Sequence, residues 1–249
     1  MVYLKTKDQI EKMRKAGIIA GSALMLAGEK ITVGVSTATI DTALRQYIES
    51  KGATPSFLGY GGFPASCCIS INDEVIHGIP SANRIIEDGD VVKVDVGAYI
   101  GGYHGDCANT FIAGTPTQAG LKIQQTVKES FYAGISKFSE GLRLGDIGAT
   151  IEATVISQGF SVVKQYIGHG IGKKLHEAPE VPNFGTAGRG SRLAVGMTLA
   201  IEPMITAGSG EVKVLKDDWT VVTVDGSLAA HYEHTVALTE NGVEILTKI

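Results

Sequence analysis

Gly89-Asp90-Val91-Val92-Lys93-Val94-Asp95 and Gly196-Met197-Thr198-Leu199-Ala200-Ile201-Glu202 are two stretches of one design. Each has a glycine six positions before an acid and aliphatic residues between. Asp95 runs on into Val96-Gly97-Ala98-Tyr99 and Glu202 into Pro203-Met204-Ile205, so both acids fall inside runs that read as largely buried strands. A carboxylate there is costly to desolvate unless something pairs with it. A single such acid is equally well explained by an arginine or by backbone N–H groups at a strand end. Four acids and a histidine in similar surroundings are better explained by metal ions.

The elements flanking the two stretches repeat in order. Thr6-Lys7-Asp8-Gln9 has the form of a capping box and opens a helix whose Ile10, Met13, Leu24 and Ala27 fall near helical spacing. A second helix is predicted from about Thr39, with Ile40, Leu44, Tyr47 and Ile48 on one face and a stop at Gly52. The glycine-rich Gly59-Tyr60-Gly61-Gly62-Phe63-Pro64 is a loop carrying two aromatics. Strands are predicted at Cys68-Ile69-Ser70-Ile71, from Val91 to Val96 and from Tyr103 to Phe111. Two helices follow, Thr117 to about Ser139 and Asp146 to Gln158, each closed by glycine. Strands resume from Ser161 to Ile167 and from Met197 onward. Helix-helix-strands thus occurs twice, the signature of an internal duplication.

Each half offers a second acid on a later strand, Asp106 in the first and Glu233 in the second. If the halves pack about a pseudo-two-fold axis, four carboxylates converge on one central sheet. Without metal they repel or take up protons. Two divalent cations cancel that charge and activate a water at neutral pH. Tyr166-Ile167-Gly168-His169-Gly170-Ile171-Gly172 suggests a fifth ligand, His169, where a strand runs into a turn whose flanking glycines permit close approach. A lone histidine is more often structural; beside four acids it reads as a ligand. Mostly oxygen donors with one imidazole suit Mn(II), Fe(II) or Co(II). His77 and His176 lie in turn-like segments, where they read either as solvated imidazoles or as groups serving a developing oxyanion and a leaving amine. His104 and His231 each precede an acid by two residues, so strand alternation puts each on the face of its acid.

Composition narrows the class. A formal net charge of −4 with interspersed signs gives no basic face for nucleic acid. The N-terminal Met1-Val2-Tyr3-Leu4-Lys5-Thr6-Lys7-Asp8 carries charge where a signal peptide needs its apolar core, and no run approaches membrane-spanning length, so a cytoplasmic protein is expected. Cys67, Cys68 and Cys107 match no disulfide framework or zinc spacing and are expected as reduced thiols in a packed interior. No linker divides the chain, which reads as one domain over residues 1–249.

In this order and spacing, Ile76-His77-Gly78-Ile79-Pro80, Lys93-Val94-Asp95-Val96-Gly97, Gly105-Asp106, Gly168-His169-Gly170-Ile171-Gly172, Leu175-His176-Glu177, Ile201-Glu202-Pro203 and Tyr232-Glu233-His234-Thr235 resemble type I methionine aminopeptidase, in its short bacterial form, over essentially the whole chain. The resemblance implies the pita-bread fold, an α/β (α+β) duplication with a curved antiparallel sheet, helices on its outer face and a dinuclear centre for Co, Mn, Fe or Zn. It implies that Asp95 chelates one metal, that Asp106 and Glu233 bridge, that His169 and Glu202 hold the other, and that Glu202 is also the general base. His176 would steady the tetrahedral intermediate and His77 would assist near the substrate amide. Tyr60, Phe63, Cys68 and Trp219 would line a methionine pocket, with Phe57 and Leu175 completing its wall. His104 and His231 would not be ligands. The implied reaction is removal of initiator methionine before a small second residue, from nascent N-termini at the ribosome, by a monomer. An Xaa-Pro peptidase of the same fold would carry a large additional N-terminal domain, and a non-catalytic binding relative would lack metal ligands.

Overall fold

The computed structural model describes residues 2–249; Met1, part of the N-terminal reading above, lies outside the described residues. Helix α1 (Lys7–Lys30) starts where the capping box puts it: the Thr6 hydroxyl accepts from the Gln9 N–H and the Gln9 side chain accepts from the Thr6 N–H. Helix α2 (Thr37–Ser50) begins two residues before the predicted start because Ser36 takes the cap, accepting from the Thr39 N–H. It buries Ile40, Leu44 and Ile48, while Tyr47 stays half-buried. The glycine-rich loop folds as one tight helical turn, Tyr60–Gly62, made possible by Gly61 at φ 57°.

The first half then supplies β1 (Thr54–Pro55), β2 (Cys67–Ile71), β3 (Glu74–Ile76), β4 (Val91–Ile100) and β5 (Tyr103–Ile112). Strands β4 and β5 form a long hairpin whose two-residue turn, Gly101-Gly102, has positive φ at both positions, as this tight turn requires. Helix α3 (Gln118–Ile135) ends before the predicted Ser139, at Ser136 rather than at a glycine, whereas α4 (Leu144–Ser157) is followed by Gly159 at φ 83°. The second half adds β6 (Ser161–Val162), β7 (Gly168–Gly170), β8 (Glu177–Val181), β9 (Thr198–Ile201), β10 (Met204–Thr206), β11 (Val212–Val214), β12 (Val221–Thr223), β13 (Ala229–His231), β14 (Glu233–Thr239) and β15 (Gly242–Ile245). The strand expected from Ser161 to Ile167 is reduced to β6; the chain pairs again only at β7.

Nine strands make one antiparallel sheet in the order β1-β4-β5-β14-β9-β7-β8, with β2 on β4 and β15 on β14. Strands β13-β10-β6 and β11-β12-β3 form two small sheets. The halves meet at β5 and β14. Alternation splits the sheet's faces. Val92, Val94, Val96 and Cys107 pack with Ala20, Leu24, Ile40 and Leu44 of α1 and α2, while Leu199, Ile201, Val236 and Leu238 pack with Ile123, Val127, Ile147 and Ile151 of α3 and α4. The helices therefore cover one face, and Asp95 and its neighbours of the same parity occupy the other. Helix α1 lies very close: a Cβ at Gly17 would strike the backbone carbonyl of Leu246, and one at Gly105 would strike the Gly17 backbone.

Candidate metal centre and its pocket

Strand register assembles the acids. Residues paired across antiparallel strands project from the same face. Asp95 is paired with Ala108 and Ala108 with Glu233, which sets Asp95 and Glu233 one strand apart on either side of β5. Asp106 is two residues from Ala108 and so shares that face. His169 pairs with Ala200, which pairs with Thr235, two residues beyond Glu233. The Thr235 hydroxyl accepts from the Asp106 N–H and donates to the Asp106 carbonyl, both at 2.9 Å, fixing β5 against β14 where the acids meet.

Asp106 and Glu233 are buried, and Asp95 Oδ1, Asp106 Oδ1 and Glu233 Oε1 have no hydrogen-bond partner. Among the described residues, the cationic groups within 4.0 Å of Glu202 and Glu233 are histidines, so the alternative of an acid held by arginine does not apply to them. His169 Nε2 lies 3.5 Å from Glu202 Oε1. Its Nδ1 is 2.9 Å from the Gly170 carbonyl, to which it donates, leaving the Nε2 lone pair facing the acids. One donor atom from each of Asp106, His169 and Glu233 lies within 4.8 Å of the others, and the same holds for Glu202, His231 and Glu233. Unpartnered buried oxygens converging with a neutral imidazole are what a divalent cation requires, so the residues fit divalent metal in general.

The electrostatics of the bare site follow from crowding anions out of water. Burial, aided by the neighbouring acids, pushes the Asp95, Glu202 and Glu233 carboxyls well above the carboxylate range. Burial raises Asp106 to about 7, with the Cys107 N–H pulling the other way. Burial lowers His169 to about 3 and His77 to about 4, so both rings are neutral at pH 7.

Above the acids is a cavity of about 190 Å³ walled by Phe57, Tyr60, Phe63, Cys68, Leu175 and Trp219. Phe63 meets Trp219 edge-on at 5.0 Å, and Cys68 lies beside Asp95 by register. His176 sits exposed at the rim, with Nδ1 2.8 Å from the Tyr60 hydroxyl and its ring 4.1 Å from that of His169. His77 follows β3 at φ 60° and meets Trp219 and Tyr166 edge-on at 6.3 and 5.8 Å. Every residue singled out for the site in the sequence lines this cavity. A larger cleft of about 790 Å³ opens from His169 and His176 past Lys173, Lys174 and Glu177.

Two local readings change. Glu202 lies just past the end of β9, in the break before β10 that Pro203 imposes, and not inside a strand. His169 lies in strand β7 and not in a turn. Its flanking glycines are required because a Cβ at Gly168 would strike the Ala200 carbonyl and one at Gly170 the Ala178 carbonyl. His104 stays outside the cluster, with Nδ1 2.9 Å from the Ser56 hydroxyl and its ring against Tyr99. His231 does reach the cluster, 3.9 Å from a Glu233 oxygen, as its position two residues from Glu233 allows. The sequence reading missed Lys93: its buried ammonium donates to the carbonyls of Asn72 (2.8 Å) and Val91 (3.1 Å), and burial lowers it to about 7. Cys67, Cys68 and Cys107 are buried free thiols, as expected. Among the described residues no helix is long and apolar enough to cross a membrane.

Comparison with known proteins agrees with this geometry. The profile of metallopeptidase family M24 matches residues 11–240. A methionine aminopeptidase of Clostridium acetobutylicum is 52% identical over 247 residues, covering 99% of both chains. The crystal structure of a Thermotoga maritima methionine aminopeptidase superposes with a TM-score of 0.98 at 44% identity over all of both chains. A Pyrococcus furiosus prolidase superposes with a TM-score of 0.79 at 26% identity, over 99% of this chain but 65% of its own. These likenesses carry the pita-bread fold that the motifs imply. With its fold, its cluster of acids and histidine, and its full-length match all in agreement, the chain belongs to metallopeptidase family M24 and, within it, to the methionine aminopeptidases.

Proposed function

We propose that this chain removes the N-terminal methionine of peptides and nascent proteins whose second residue is small, using two divalent cations. The observation that carries the proposal is the set of unpartnered buried oxygens on Asp95, Asp106 and Glu233 at the floor of a cavity walled by Phe63, Cys68 and Trp219. In this reading Asp95, Asp106, His169, Glu202 and Glu233 would hold the cations, each offering a carboxylate oxygen or an imidazole nitrogen to them. When bound, the cations supply charge neutralisation and Lewis-acid activation of water and of the scissile carbonyl.

The remaining work falls to the chain's own groups. Glu202, free of strand pairing and facing His169, takes the proton of the attacking water at a carboxylate oxygen. His176 is held through Nδ1 by Tyr60, which aims its other nitrogen into the cavity to donate to the developing oxyanion. His77, neutral and packed against Trp219, donates toward the substrate amide and the leaving amine. The free α-amino group binds among the acids, which limits cutting to the first residue. Aromatic edges and the Cys68 sulfur suit a thioether side chain. The wide cleft past Lys173 and Glu177 gives the rest of the substrate its exit. The physiological partners are nascent N-termini met at the ribosome, and the chain works as a cytoplasmic monomer, one catalytic domain over residues 1–249.

The test is methionine release from Met-Ala-Ser by chelator-stripped protein with Mn(II), Fe(II), Co(II) or Zn(II) restored, beside Met-Leu-Ser and Ala-Pro-Ala. Metal-dependent cleavage of Met-Ala-Ser alone is expected. Cleavage of Ala-Pro-Ala instead would make the chain an Xaa-Pro peptidase, and inactivity on all three with every metal would make it a non-catalytic relative.

A further inference from the structure

Gly168 and Gly170 make room for backbone carbonyls, but Gly172, the last glycine of the same run, makes room for an ion pair. A Cβ there would meet Lys5 Cε at 2.6 Å and Glu177 Oε1 at 2.7 Å. Lys5 Nζ lies 2.6 Å from Glu177 Oε2, with the two side chains 6% and 8% exposed. The ammonium also donates to the Tyr3 carbonyl at 3.2 Å. The N-terminal arm that carries Lys5 has its own anchor, since the Lys5 N–H donates to the carbonyl of Gly196, two residues before β9, at 2.7 Å. Lys5 therefore reaches Glu177 from a point fixed to the sheet.

Glu177 opens β8 and directly follows His176. Its other oxygen, Oε1, accepts from the Lys174 N–H at 3.1 Å, closing a four-residue turn around Leu175 and His176. Leu175 is buried in the pocket wall, and His176 Nδ1 is tied to the Tyr60 hydroxyl. The imidazole thus has one tie at its ring and one at its backbone, and the second ends on Lys5. A buried ion pair adds little net stability, because desolvating both charges costs about what their attraction returns. What it fixes here is geometry. Lys5 does not line the cavity above the acids, so any effect it has on the reaction passes through what it holds.

From this arrangement we infer that Lys5 is a positioning residue for the reaction: through Glu177 it holds the Lys174–Glu177 turn, and with it the backbone of His176, so that the His176 imidazole meets the developing oxyanion. The inference rests on the role given to His176 above and adds the N-terminal arm to the groups that serve it.

Lys5→Met keeps the aliphatic stem and removes the charge, and Lys5→Arg restores a cation. In steady-state assays of Met-Ala-Ser with Co(II) restored, Lys5→Met should lower kcat about 10–100-fold with KM changed less than about threefold, and Lys5→Arg should recover most of the loss. In a His176→Ala background Lys5→Met should lower kcat little further, because the group it positions is gone. A second readout needs neither metal nor turnover. In stripped protein, long-range proton–nitrogen NMR should show one tautomer of the His176 ring, and an averaged pair in Lys5→Met. If Lys5→Met loses its fold by circular dichroism, Glu177→Gln, which keeps the size and an acceptor for the Lys174 N–H, is read in the same ways with the same expectations. Unchanged kcat, an unmoved His176 spectrum, or equal losses of kcat with and without His176 would each overturn the inference while leaving the proposed reaction intact. Failure of the unaltered protein to cleave Met-Ala-Ser with any metal would overturn both.

Discussion

Asp106 and Glu233 stand where the two halves of the sheet meet, on β5 and β14. Each is buried with an unpartnered oxygen, and each stands between the other acids. Asp106→Ala and Glu233→Ala should each abolish most cation binding by calorimetry and most turnover; near-normal turnover with two cations bound would show that the ligand set is wrong. Glu202 is expected to act on the water more than on the substrate. Glu202→Gln should therefore lower kcat about 10²–10⁴-fold with little change in KM in steady-state assays of Met-Ala-Ser. The identities of these residues were legible in the sequence because acids inside apolar runs have few physical explanations. The reach of His231 was half legible: alternation put it on the Glu233 face, but its aim at Glu202 depends on β13 pairing with β10, a three-residue contact without sequence periodicity.

Among the elements, capped helices and long strands were readable and short pieces were not. The Thr6 capping box and the Ile40, Leu44, Ile48 stripe announce α1 and α2, and the β4–β5 hairpin is long enough to show its pattern. Strand β7 has three residues, two of them glycine, so nothing local distinguishes it from a turn; neighbouring carbonyls make it a strand. The break at Glu202 was marked by Pro203, which the aliphatic run on either side obscured. Close packing of α1 gives a test at this level. Gly17→Ala would drive a methyl into the Leu246 carbonyl and should cost about 1–3 kcal/mol, seen as a Tm fall of about 2–4 °C per kcal/mol. An unchanged Tm would mean that α1 lies farther from the C-terminal strand than described.

For the molecule as a whole, the duplication was legible because both halves repeat the same element order and the same glycine-to-acid spacing, and the central β5–β14 pairing joins them. Joining two acidic halves has a pH signature. In stripped protein the folded carboxyls of Asp95, Asp106, Glu202 and Glu233 hold protons that the unfolded chain has released, Asp106 up to about 7. Stability from such raised groups is present below their unfolded pKa and is lost as pH rises through the folded value. Depressed histidines act oppositely, but only below about 6.5, and the lowered Lys93 is one group against four. The Tm of stripped protein should therefore fall as pH rises from about 6.5 through the Asp106 value of about 7, and the Tm gain on adding cations should grow with it; a stripped Tm that rises there would contradict the assignment. The most direct measurement is a Co(II) or Mn(II) titration of stripped protein, following bound metal and methionine release from Met-Ala-Ser in the same samples. No release is expected without metal, with activity rising with loading and saturating at two cations per chain; undiminished release by fully stripped protein in excess chelator would contradict a metal-dependent site.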